Sequence, residues 1–183
     1  SSDFSPQLSA DLDCNGQDII MDSSNSIQDD SNNEYIKMAK TASAVNEVTV
    51  TNAATGNAPN LSATGDDTNI DLNLTPKGYG RTTLNGQGKI ESVAEKVTTT
   101  ATAATGTINY DVLTQAVLNY TSDAAANWTL NIRGDGSNTL DNIMDTGESI
   151  TIAHIVKQGS TPYYNSAVQI DGSSVTPEYQ GGS

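Results

Sequence analysis

Trp128-Thr129-Leu130-Asn131-Ile132-Arg133 alternates apolar and polar side chains, the pattern of a strand with one covered face and one wet face. The same alternation surrounds it. Upstream, strands are expected near 107–112 and 116–121. Downstream they are expected near 149–157, where Ile150, Ile152, His154 and Val156 share a face, and near 163–170 and 174–179. Val168-Gln169-Ile170, then Asp171-Gly172, then Ser173-Ser174-Val175 reads as a hairpin, because Asp-Gly accepts the positive φ angles of a two-residue turn. Asn138 to Met144 could make one helical turn capped by Asn138, and Val93 to Val97 another. Residues 93–183 are therefore expected to form a β-sandwich, jelly-roll-like in connectivity. Six strands are few for a closed sandwich, so either a neighbouring copy or sequence beyond Ser183 would complete it.

Residues 1–92 read differently. Leu8, Ala10 and Leu12 alternate with Ser9, Asp11 and Asp13; Val48 and Val50 with Thr49 and Thr51; Ile70, Leu72 and Leu74 with Asp71, Asn73 and Thr75. These segments are short and separated by Asn-Gly, Thr-Gly and Pro-X-Gly turn chemistry. Pro6-Gln7-Leu8-Ser9-Ala10 recurs as Pro59-Asn60-Leu61-Ser62-Ala63, which suggests similar β units stacked along an axis. The reading is a repetitive, shaft-like β region at 1–92. The Thr-rich run Thr98-Thr99-Thr100 opens the second domain as a connector or edge strand.

Composition narrows the function. Asp and Glu number 22 against 8 Lys and Arg, a formal charge of −14, so no basic stripe exists to neutralise phosphates or an anionic membrane. No apolar run is long enough for a membrane-spanning helix. The start, Ser1-Ser2-Asp3-Phe4, lacks the features of a signal peptide, and both ends look like cuts from a longer chain. Leu, Ile, Val and Phe make up only about 19% of the residues, close to the level that signals disorder. A strongly β-patterned chain with so little oil can instead bury at a subunit interface what it cannot bury alone. Cys14 is the only cysteine, which excludes an intrachain disulfide and reads as a small buried hydrophobe.

Ile70-Asp71-Leu72-Asn73-Leu74-Thr75-Pro76-Lys77-Gly78-Tyr79-Gly80, followed by Arg81 to Asn85-Gly86, resembles a pattern of phage tail-fibre and virion structural proteins. There an alternating strand enters a Pro-X-Gly-X-Gly reversal and a second strand follows. Thr107-Ile108-Asn109-Tyr110-Asp111, Trp128 to Gly134 and Val168 to Ser173 are similar to the domain after such shafts in marine cyanophage proteins. The resemblance implies a homotrimeric, non-enzymatic structural piece of a virion appendage such as a tail fibre. Its partners would be other virion proteins, and it would present a surface used in host attachment. It names no active residue. A carbohydrate-binding receptor-recognition module and a capsid-surface decoration protein are the alternatives.

Asp11-Leu12-Asp13-Cys14-Asn15-Gly16-Gln17-Asp18, with Asp22 at the closing position, matches a calcium loop whose ligands would be Asp11, Asp13, Asn15 and Asp22. Asp18 stands where such loops carry an apolar residue, and an Asn-Gly turn on an acidic surface is the competing, favoured reading. Asp135-Gly136-Ser137-Asn138, with Asp141, Asp145 and Glu148, is a second oxygen-rich loop, also read as solvated. Arg133-Gly134-Asp135 spells an integrin tripeptide and Asp145-Thr146-Gly147 an aspartic-protease triplet, each too short to carry its function. His154 is the sole histidine, and no Gly-X-Ser-X-Gly elbow accompanies it. Trp128, Tyr163, Tyr164 and Tyr179 could stack sugars, although Trp128 is better placed as core. No cofactor is expected, calcium apart.

Overall fold

The structure, a computed structural model, describes residues 14–21 and 24–178. The protein is all-β: strands carry its regular structure, and no helix occurs among the described residues. The chain divides into two compact units at the Thr75–Pro76 step, whereas the sequence placed a boundary at 92–93.

Among its described residues, the first unit holds two separate antiparallel pairs. β1 (Asn25–Gln28) pairs with β2 (Glu34–Met38). The reversal between them is closed by Asp29, whose Oδ1 accepts from the Ser31 and Asn33 amides at 2.9 and 2.8 Å. β3 (Asn46–Thr51) pairs with β4 (Asn60–Gly65) without a register break. Alternation sorts this second pair cleanly. Glu47, Thr49, Ser62 and Thr64 share one face, where the Thr49 and Thr64 hydroxyls lie 2.6 Å apart and Thr64 donates to Glu47 at 2.8 Å. Val48, Val50, Leu61 and Ala63 share the other. The repeat at Pro59–Ala63 runs into β4. Its first copy, with the strand expected at Leu8–Asp13, lies outside the described residues. Ile70 to Leu74 is a correction: it joins no ladder, although Ile70 to Asn73 line one hollow with Asn46 to Val48 and Ala63 of the β3–β4 pair. The second strand expected after the Gly80 reversal, 82–86, is likewise unpaired. The reversal itself is present, with Gly78 at φ +61° and the Gly80 amide bonded to the Lys77 carbonyl at 3.1 Å.

The second unit contains β5 (Val97–Thr100), β6 (Gly106–Asp111), β7 (Val117–Tyr120), β8 (Trp128–Arg133), β9 (Ala153–Val156), β10 (Asn165–Ile170) and β11 (Ser173–Val175). From β5 to β10 successive strands alternate between two sheets, ordered β5-β7-β9 and β11-β10-β8-β6. Every ladder is parallel except β10–β11. The chain thus winds as three turns of a coil, each turn giving one strand to each sheet of a sandwich-like pair. This corrects the jelly-roll connectivity, which requires antiparallel neighbours. The physical reason is that each link crosses to the opposite sheet before returning, and only such a crossover can join parallel neighbours. Val97 pairs with Val117 and Val117 with Ala153, steps of 20 and 36 residues. The longer step loops out residues 134–152. There the Ile143 and Met144 amides both donate to the Leu140 carbonyl, one turn that does not propagate as a helix.

The core lies between the sheets. Ala104, Ile108, Tyr110, Leu118, Ala124 and Trp128 are buried, with Val112, Tyr120, Leu130, Ile152, Val156 and Tyr163 packed against them. The Tyr110 hydroxyl is satisfied by the Ala116 carbonyl, which lets a phenol sit fully buried. On the outer side of the four-stranded sheet, the Asn131 amide donates to Asn109 at 2.8 Å while its oxygen accepts from Gly172 at 2.8 Å. The Asp171-Gly172 turn, at φ +49° and +79°, is the expected tight hairpin and anchors β11 there.

Candidate association surface

No side chain is buried among the described residues of the first unit. The apolar residues that pattern its strands face outward. Ile27 opposes Ile36 across β1–β2, and both are about half exposed. Val50 opposes Leu61 across β3–β4, at 78% and 49% exposure. Tyr35, Val48 and Leu74 are similarly open. At roughly 25 cal/mol per Å² of apolar area removed from water, such faces favour whatever covers them. A two-stranded pair with one open apolar face is marginal in water by itself. The elements that position these residues are the hairpins; the chemistry they offer is burial and backbone pairing.

The acidic loops do different work. Of the predicted calcium ligands, Asp11, Asp13 and Asp22 lie outside the described residues. Asn15 lies within a tight turn with Gly16, at φ +46° and +77°, closed by the Gln17 amide on the Cys14 carbonyl at 2.8 Å. Cys14 is half-buried and free. In the second oxygen-rich loop, Asp135 Oδ1 accepts from the Ser137 and Asn138 amides and the Asn138 side chain at 2.7–2.9 Å. Those bonds, the Ser137 amide first, hold its carboxyl below the usual range. Asp171 takes the Leu140 amide at 2.9 Å. Arg81 bridges Glu148 and Asp145, the latter at 3.0 Å, so Glu148 is also held acidic. These oxygens are turned to donors of the chain and do not converge. No cluster of three metal-ligating side chains occurs among the described residues.

The remaining motifs are placed just as plainly. Arg133 is held by Asp111 at 2.6 Å and Gly134 is boxed in, since an added Cβ would lie 2.6 Å from the Asn138 carbonyl oxygen. The tripeptide is part of a strand end, not a free tip. Asp145 is an exposed turn carboxylate paired to Arg81, without the apolar pocket that protease chemistry needs. The aromatic platform is dispersed. Trp128 is in the core, Tyr163 packs beside it, Tyr164 is exposed and Tyr179 lies outside the described residues.

His154 projects from β9 between the sheets. Its ring meets Tyr120 and Trp128 edge-on, with centroids at 5.7 and 5.9 Å, and its Nε2 is buried without a hydrogen-bond partner. Burial lowers its pKa. A cavity of about 450 Å³ lies on the second unit between Gly78–Arg81 and the looped-out segment, walled by Val112, Leu113, Ile143, Met144 and Ile150. Its charged rim, Arg81 with Glu148, is already neutralised internally. Sequence reasoning missed this cavity because alternation says nothing about how a long loop folds back. The Ile143 and Met144 apolar pair inside an otherwise polar loop was the available signal.

No family model, curated protein or solved structure matches this chain.

Proposed function

We propose that the chain is a non-enzymatic structural component of a virion appendage of the tail-fibre type, working as a homotrimer. Its first unit spaces and joins copies. Its second unit is a β-sandwich-like body that presents a surface, for other virion proteins or for host attachment. The reading draws on the sequence likeness to phage tail-fibre proteins. One structural observation supports it: the described first unit has paired strands and open apolar faces but no buried side chain. Strands of this kind become stable when copies bring their faces together. Among the described residues, Trp128 is in the core and Tyr163 packs against it, so neither joins the exposed Tyr164 in a sugar-stacking face, which favours the structural reading over the carbohydrate-binding alternative. Light scattering is the test. Three chains of 19.1 kDa should give a mass near 57 kDa; an ordered single chain over a wide concentration range would end the proposal.

A further inference from the structure

The two sheets of the second unit are unequal. Each turn of the coil crosses from one sheet to the other, so β5 is matched by β6, β7 by β8 and β9 by β10. Among the described residues, β11 is a fourth strand on one sheet with no counterpart beside β9 on the other. Exposure agrees with this count, since all three residues of β11 are exposed and Ile170 beside them, on the face of β10 that bears Val168, is open as well. The backbone is also unmatched. Ala153 and Lys157 donate toward β7, to the carbonyls of Ala116 and Tyr120. By strand alternation the His154 and Val156 amides point the opposite way, to the free edge. β9 carries no proline or bulge to blunt that edge, the usual protections of an edge strand.

We propose that the position beside β9 is a receiving site for an extended strand with apolar residues at alternate positions, supplied by a second copy of this chain. This rests on the association reading above. A strand is required because the edge offers a row of backbone donors and acceptors, and alternation because one face must cover the sandwich interior. The chain itself carries a segment of that pattern which no ladder uses. Ile70, Leu72 and Leu74 alternate with polar residues and join no ladder; Ile70 is half-buried beside the β3–β4 pair, while Leu72 and Leu74 are 40% and 61% exposed. Each copy then gives one strand and receives one, a head-to-tail exchange that closes in a ring of copies.

Amide hydrogen exchange on the full chain, read beside light scattering, tests this. In the associated state the His154 and Val156 amides should exchange on the order of a hundredfold more slowly than exposed amides. The double variant Leu72→Asp/Leu74→Asp should return them to the fast rate, with the emission of Trp128 unchanged as proof that the second unit is still folded. Associated chains with fast amides at both positions would overturn the receiving site while leaving the homotrimer standing. Slow amides in a chain that scatters as a monomer would overturn the second copy as donor, and the association reading with it. Slow amides that ignore the double variant would overturn the donor segment.

Discussion

The two units use the same strand grammar with opposite outcomes. In the second, alternate residues of β6, β7 and β8 meet across a gap between sheets, so Ile108, Tyr110, Leu118 and Trp128 leave water. In the first, Val48, Val50, Leu61 and Ala63 line up as neatly along one hairpin face, yet Val48, Val50 and Leu61 stay exposed, because no second sheet closes over them. Alternation creates an apolar face. Only a second layer turns that face into a core. What separates the units is the opposing layer: the coil supplies its own, and the described hairpins have no buried one.

That contrast can be broken by experiment. The largest effect belongs to the pair Val48→Asp/Val50→Asp, which should abolish association while the second unit melts as before; mass and Trp128 emission measured together would show it. A fall in both would mean that the units are not independent in this sense. Trp128→Ala should act in reverse, costing about 3–5 kcal/mol of second-unit stability through the lost ring and its cavity. Denaturant unfolding followed by far-ultraviolet dichroism measures it, and the apolar faces of the first unit should still associate.

Asn131→Ala should cost less, about 1–3 kcal/mol, by stranding the Gly172 amide and the Asn109 side chain. Faster exchange of the Gly172 amide would locate the damage at the β11 turn. The smallest effect is a pH dependence. Burial lowers the His154 pKa below its unfolded value, so the neutral ring stabilises the fold at and above that value. Stability should be lost as pH falls from about 6.5 toward the folded pKa. His154→Phe should flatten that window and leave the later, carboxylate-driven loss below about pH 4.5 in place. A variant that follows the wild type throughout would show that the ring is neutral in neither or both states.

Most strands of the second unit were readable from alternation: the run Trp128 to Arg133 is β8, and the expected 107–112 falls within a residue of β6. The Asp171-Gly172 hairpin was readable because a two-residue turn dictates both its φ angles and its partner. Parallel pairing was not readable. An alternating pattern looks the same in either direction, and the links between β5 and β10 carry no two-residue turn to force a reversal. The pairing of β1 with β2 was missed because Glu34 to Met38 mixes charged and apolar residues, while Ile70 to Leu74 has ideal alternation and no ladder partner.

The candidate surface was legible as a deficit. Too little large apolar residue for self-sufficient cores could be counted, but which half would be short could not. By itself the sequence determined that this is a β protein with a hairpin at Asp171-Gly172, because backbone turns and side-chain periodicity are local properties. Only the tertiary structure decided that the second half winds in parallel turns around Trp128 and that the first half keeps its apolar faces in water. Strand direction and burial depend on which segments meet, and that is a property of the whole fold.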